Sequence, residues 1–167
     1  DACAAPGGKS THLLEIADIE LTILDNNADR LQRVTENLVR LKLFAHKIIA
    51  GDACYPKQWW DGQLFDRIMV DAPCSASGVV SRHPDIKWHR KPEDITRFAQ
   101  NQLAILEGMW PLLKPGARLL YITCSIFKEE NDWLINKFLL NHPEAKQLPV
   151  AHPQLSSRQL LPNDRHD

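Results

Sequence analysis

Two cysteines stand in settings that suit covalent chemistry: Cys74 in Asp71-Ala-Pro-Cys74 and Cys124 in Thr123-Cys-Ser125. Each follows a short apolar run that reads as a buried strand, Phe65–Asp71 and Leu119–Thr123. If those strands are neighbours in an α/β sheet, both thiols reach the edge where ligands sit, the carboxyl ends of the strands. A thiolate there is a nucleophile. One reaction that needs it is addition to C6 of cytosine, which makes the sluggish C5 enamine-like and able to attack a methyl sulfonium. A base must then remove the C5 proton so that the thiol can leave. An acid or hydrogen bond on the N3 side of the ring assists, a role open to Asp71. Methylation of an amino group predicts an aromatic residue after the proline, where this chain has Cys74. Spacing does not say which cysteine attacks.

A second signal is the loop Cys3-Ala4-Ala5-Pro6-Gly7-Gly8-Lys9, followed by Ser10-Thr11. Adjacent glycines let backbone approach a ligand closely, and the helix expected after them offers free N–H groups at its positive end. Gly8-Lys9-Ser10 resembles the close of a phosphate-binding loop, with Asp71 as a magnesium-binding acid, but that motif needs glycine where Cys3 stands. The alternative is a nucleoside cofactor. Asp25 closes the strand Leu21–Asp25, where an acid can bind both ribose hydroxyls. Asp52 follows the strand His46–Ala50, where an acid can accept from an adenine amino group. Together these acids and the loop describe an S-adenosylmethionine pocket. Taken singly, Asp25 and Asp52 are also fit to cap the next turn.

The elements that must carry these residues alternate. Ala28–Leu43 reads as a helix with Leu31, Val34, Leu38 and Leu41 at helical spacing. Glu93–Leu113 reads as a long helix stopped by Lys114-Pro-Gly116, and Glu129–Leu140 as a closing helix. Strands alternating with helices predict an α/β fold, a mostly parallel sheet with helices on both faces. The catalytic core is expected over residues 1–145 and an irregular Pro-, Ser- and Asn-bearing tail over 146–167. Both ends read as cut: the strand before the glycine loop retains only its last residues, and no closing strand follows the tail.

Composition bounds the rest. The 167 residues are 44% hydrophobic and 25% charged with net charge −1, an ordinary globular balance that gives no global pull toward nucleic acid. No apolar run is long enough to span a membrane. Cys3, Cys54, Cys74 and Cys124 form no C-x-x-C pair and show no disulfide-scaffold spacing, so they read as reduced thiols of a cytoplasmic protein. No His/Cys/Asp cluster has metal-ligand spacing. Trp59, Trp60, Trp110 and Cys54 read as packing residues.

Cys3–Lys9, the block Asp71-Ala-Pro-Cys-Ser-Ala-Ser-Gly78 and Thr123-Cys-Ser125, in that order, resemble the Sun/Nop-type RNA cytosine-5 methyltransferases, and Arg82-His-Pro-Asp-Ile-Lys-Trp88 sharpens the likeness to the bacterial 16S ribosomal RNA branch. The resemblance covers about residues 1 to 141. It implies a Rossmann-like class I methyltransferase fold, S-adenosylmethionine as cofactor and 16S ribosomal RNA as substrate. It implies Cys124 as the nucleophile, Cys74 as an aid to product release and Asp71 as a contact to base and cofactor. Cys3, Ala4, Ala5, Pro6, Gly7, Gly8 and Lys9 would wrap the methionine end, with Lys9 reaching the active-site acid; Asp25 would hold the ribose and Asp52 the adenine. Family members also carry a NusB-like RNA-binding domain and end in a Gly-aromatic strand, neither of which is found in these residues. A catalytically silent RNA- or cofactor-binding module is the other reading for the isolated chain.

The segment after Cys74 completes the pattern. Arg82, Lys87, Arg90 and Lys91 stand against one acid, Asp85, with His83, Trp88 and His89 interleaved. Cations with aromatics suit phosphate contact and base stacking, so Arg82, His83, Lys87 and Trp88 are expected at the RNA. A plain loop with Trp88 packed on the core is the competing expectation.

Overall fold

The computed structural model describes residues 1–149, so most of the expected tail lies outside the described residues. In chain order the elements are α1 (Gly8–Ile16), β1 (Thr22–Asp25), α2 (Ala28–Leu41), β2 (Lys47–Ala50), β3 (Phe65–Asp71), α3 (Ile86–His89), α4 (Pro92–Met109), β4 (Leu113–Ile122) and α5 (Asp132–Asn141). The chain divides into two compact units. Among the described residues, one comprises 1–72 and 104–122; the other comprises 73–103 and 123–149.

The first unit is a parallel sheet. β1 pairs with β2, Thr22 opposite Lys47 through Asp25 opposite Ala50. β3 pairs with β4, Arg67 opposite Arg118 through Asp71 opposite Ile122. Ala2 joins the two pairs, bridging both Leu24 and Val70, so the order is β2–β1–Ala2–β3–β4. Four main-chain bonds make that junction: Leu24 N to Asp1 O (2.9 Å), Ala4 N to Leu24 O (3.1 Å), Ala2 N to Met69 O (2.8 Å) and Asp71 N to Ala2 O (3.1 Å).

Successive strand residues face opposite sides, and Ile23 and Leu24 show it. Ile23 packs with Leu31, Val34 and Leu38 of α2 and with Ala4 and Ala5. Leu24 packs with Ile68, Val70 and the end of α4 through Ile105 and Met109. Helices therefore cover both faces. α2 is a well-specified helix: its buried stripe is Leu31, Val34 and Leu38, and the Asn27 side chain caps it by accepting from Arg30 N at 3.0 Å, a contact that contributes about 1 kcal/mol.

The second unit holds a short 3₁₀ turn at Ser77–Val79, α3, the first part of α4, a 3₁₀ turn at Lys128–Glu130 and α5. Leu134 and Phe138 of α5 are buried, and the Phe138 ring stacks on His142 with centroids 4.4 Å apart.

Two sequence expectations need correction. The long helix ends at Met109, not Leu113, and a 3₁₀ turn at Trp110–Leu112 carrying Pro111 follows it. Lys114-Pro-Gly116 lies within β4, where Gly116 takes φ 78° and the pairing with β3 slips between Phe65 and Arg67. The closing helix is likewise broken: Lys128–Glu130 is 3₁₀, and Asn131 departs from helical geometry (φ −128°, ψ −103°) before α5 begins.

Candidate active site

Within the first unit, Ala2 passes directly into the glycine loop, and α1 begins at Gly8. Gly7 turns the chain at φ 98°, and a Cβ there would lie 3.1 Å from the Val34 side chain. Glycine thus serves both the left-handed turn and the close approach to α2. α2 also holds the loop's carbonyls: the Arg30 guanidinium donates to Ala5 O, and Asn37 Nδ2 donates to Pro6 O at 3.1 Å. Ala4, Ala5 and Gly7 are buried, whereas Pro6, Gly8 and Lys9 face solvent.

Three acids surround this loop. Asp25 is 3% exposed; its Oδ2 accepts the Ala5 N–H and its Oδ1 the Asn27 N–H, both at 3.0 Å. Asp52 Oδ1 accepts the Cys54 N–H at 2.8 Å. Both acids do cap their own turns, and a carboxylate retains further lone pairs when it does so. Lys9 Nζ lies 2.6 Å from Asp71 Oδ2, the reach that the family resemblance implies. The thiol of Cys3 reports the field these acids make: it is pushed up to about 12, first by burial, then by Asp25, with Cys54, Asp71 and Asp52 adding to it. Cys54 is raised to about 11 by burial and by Asp52. Both thiols are therefore protonated and inert at neutral pH. Trp59 and Trp60 pack against the core as expected, the Trp59 indole donating to Asp52 O at 2.8 Å.

Within the second unit, the sulfurs of Cys74 and Cys124 lie 3.2 Å apart. No disulfide joins any of the four cysteines; Cys124 is exposed and Cys74 half-buried. The hydrogen bond to Cys124, reinforced by burial, pushes the Cys74 thiol far above the usual thiol range. Either thiol can donate in this contact, and Cys124 is the sulfur presented to solvent.

Beneath the pair lies a polar network that the sequence reading did not identify. Ser75, Gln102 and Glu130 are completely buried and Ser125 nearly so. Glu130 Oε1 accepts from Ser75 N and Gln102 Nε2, both at 2.9 Å; Oε2 accepts from Ser75 Oγ at 2.5 Å and from Ser125 Oγ. Ser75 and Ser125 stand in the two cysteine blocks, which was the available signal. Nothing in the sequence pairs them with Glu130 or Gln102. Gly78 closes in on the same site: its N–H donates to Cys124 O at 2.8 Å.

The basic segment also lies in the second unit. Arg82, His83, Lys87 and Trp88 are all exposed, Trp88 to 81%, so Trp88 does not pack on the core. Lys87 Nζ sits 6.0 Å from the Trp88 ring centroid. Arg90 ties the segment down: its Nε donates to Ser75 O at 3.0 Å, and its guanidinium lies 5.1 Å from the Phe98 ring. Among the described residues no group of three or more His, Cys, Asp or Glu is arranged to hold a metal, and no helix is long and apolar enough to cross a membrane.

The parallel sheet with its glycine loop and strand-end acids is that of the Rossmann-like methyltransferases. The crystal structure of PH0851 superposes with TM-score 0.86 at 37% identity, covering 91% of this chain and 35% of that one. The crystal structure of NSun6 from Pyrococcus horikoshii with SFG superposes with TM-score 0.75 at 31% identity, covering 83% and 35%. The chain belongs to the 16S rRNA methyltransferase RsmB/F family, whose sequence model matches residues 1–165. Ribosomal RNA small subunit methyltransferase B of Vibrio vulnificus is 53% identical over 165 residues, covering 98% of this chain; the chain spans 38% of that relative's length.

Proposed function

We propose that this chain is the cofactor-binding and catalytic portion of an enzyme that methylates C5 of a cytosine in 16S ribosomal RNA, through a covalent bond between Cys124 Sγ and C6. The observation that carries the reading is the thiol pair: two sulfurs 3.2 Å apart, one exposed and one half-buried. N-methylation has no use for such a pair.

The donor set of the first unit fits S-adenosylmethionine. Its cationic sulfonium and ammonium suit a loop on which three carboxylates act together, as the raised Cys3 thiol records. Asp25 and Asp52 offer acceptors for ribose hydroxyls and an adenine amino group, and Cys3–Lys9 provides the backbone wrap. A relative with SFG, an analogue of this cofactor, supports the assignment. When bound, S-adenosylmethionine supplies an electrophilic methyl group.

The chain's own residues then have distinct tasks. Cys124 Sγ adds to C6, and the electron pair moves toward C5. Asp71 contacts the N3 side of the base, its carboxylate accepting from the exocyclic amino group and from N3–H once that nitrogen takes a proton, with Lys9 keeping the carboxylate oriented. After methylation solvent water takes the C5 proton, the C5–H electron pair restores the C5–C6 double bond, the Sγ–C6 bond breaks, and Cys74 assists departure by giving its thiol proton to the Cys124 sulfur and regaining one from solvent. Arg82, His83, Lys87 and Trp88 bind the RNA around the target.

The test is a denaturing mass spectrum of the chain mixed with S-adenosylmethionine and ribosomal RNA bearing 5-fluorocytidine, which cannot lose a C5 proton. We expect a protein–RNA adduct in the unaltered chain and in Cys74→Ser, and none in Cys124→Ser. Loss of the adduct in Cys74→Ser instead would exchange the two roles. No adduct in any form, including the full-length protein, would sink the cytosine-C5 reading.

A further inference from the structure

Burying a carboxylate is costly unless donors surround it, and Glu130 is completely buried. Its partners are specific. Ser75 N is the amide immediately after Cys74, and Ser125 is the residue immediately after Cys124. On the other side of Cys74, Gln102 Nε2 donates both to Pro73 O and to Glu130 Oε1, each at 2.9 Å. The peptide groups flanking Cys74 are therefore tied to one carboxylate and the amide that braces it. Cys124 is fixed from the same side. Ser125 N donates to Thr123 Oγ1 at 3.2 Å, and Thr123 Oγ1 donates to Asn131 Oδ1 at 2.8 Å. Asn131 adjoins Glu130 in the chain and donates to Ser125 O at 3.0 Å.

Stability alone does not explain this choice. Well-packed apolar side chains commonly replace buried charged networks without loss of stability. A carboxylate does what no apolar group can: its two acceptor oxygens receive an amide and two hydroxyls drawn from two separate cysteine segments.

We propose that Glu130 is a positioning residue that sets the separation of the Cys74 and Cys124 sulfurs, acting through Ser75 and Ser125. The inference rests on the proposed function for its purpose, but not for its test. Spacing matters to the chemistry because Cys74 must hand a proton to Cys124 sulfur, and proton transfer requires the two to stay within hydrogen-bond reach.

The measurement reads thiol proximity without methyl transfer. The full chain is equilibrated with reduced and oxidised glutathione, quenched with acid and examined by mass spectrometry. Cys74 and Cys124 together lose two hydrogens as one glutathione disulfide becomes two glutathiones, so the equilibrium constant reports how readily the sulfurs meet. Cys74→Ser identifies the signal. We expect Glu130→Ala to lower the constant at least tenfold and Ser125→Ala at least fivefold. Glu130→Gln should stay within threefold, because an amide can keep the two N–H donors on its oxygen while the serine hydroxyls rotate to accept from its nitrogen. If Glu130→Ala folds and its constant stays within threefold of the unaltered chain, the proposal is overturned. Should that variant fail to fold, an unchanged constant in Ser125→Ala overturns it instead. A drop in Glu130→Ala alongside a chain that never forms a cytosine adduct would refute the function and leave the thiol clamp standing.

Discussion

Gly78→Ala gives a sharp test of the geometry around Cys124, because two effects of opposite sign compete there. Gly78 sits in the 3₁₀ turn Ser77–Val79 and has no positive φ. At such a position alanine ordinarily stabilises a protein by about 0.4–1 kcal/mol, by narrowing the unfolded ensemble. Here, however, an added Cβ would lie 2.8 Å from Cys124 O and 3.5 Å from both Cys124 C and Ile126 Cγ2. The first contact is with main chain, which cannot swing away as a side-chain tip can. Relief requires the carbonyl to retreat by roughly half an ångström, and that retreat strains the 2.8 Å bond from Gly78 N. Overpacking costs roughly 1–3 kcal/mol, and a weakened main-chain hydrogen bond roughly another 0.5–1.5 kcal/mol. The clash therefore outweighs the entropic gain, and we expect a net loss of about 1–3 kcal/mol. Urea unfolding at neutral pH, followed by tryptophan fluorescence, would show it as a lowered midpoint at unchanged slope. Because the displaced carbonyl belongs to Cys124, adduct formation with 5-fluorocytidine RNA should slow as well. A variant as stable as the parent, or more so, would refute the reasoning and mean that Cys124 O does not stand where described.

Two further outcomes are expected. The Cys3 thiol is raised to about 12 in the folded chain from an ordinary value near 9, so the folded state keeps a proton that the unfolded state gives up. Its contribution is intact below pH 9 and is lost between pH 9 and 12, at a slope of at most about 1.4 kcal/mol per pH unit; urea midpoints across that range should fall less steeply in Cys3→Ala. Trp88 is exposed, so Trp88→Ala should change the unfolding free energy by no more than about 0.5 kcal/mol in the same urea titration. If its ring stacks a base, the same change should weaken ribosomal RNA binding by about 1–3 kcal/mol in a filter-binding titration.

The parts of the fold legible in the sequence were those governed by local pattern. Apolar runs ending in Asp25 and Asp71 became β1 and β3, and the stripe of Leu31, Val34 and Leu38 became the buried face of α2. What misled was punctuation. Lys114-Pro-Gly116 looked like a helix stop, but the helix had already ended four residues before Leu113, with Pro111 in the turn that follows. Gly108, just inside that end, presses on Ala53 O so closely that a Cβ would come within 2.3 Å, a tertiary constraint no periodicity reveals. The break at Asn131 was hidden for a similar reason: its side chain serves Thr123, Ser125 and Phe127. At the candidate site, the loop, acids and cysteines were legible because their residue types are rare in such combinations. Glu130 and Gln102 were not, since a glutamate and a glutamine in amphipathic segments ordinarily face water, and only the fold brings them to Ser75.

The four bonds made by Asp1, Ala2 and Ala4 stitch together the two strand pairs of the first unit, and the residues that make them run without interruption into the glycine loop. Grip on a ligand and cohesion of the sheet are thereby one mechanical property. Any molecule that clasps residues 3–9 pulls on the thread that stitches β1 to β3, and a tightened stitch draws Asp25 and Asp71, at the ends of those same strands, into fixed register. Occupancy of the loop would be felt across the width of the sheet without any hinge to carry it.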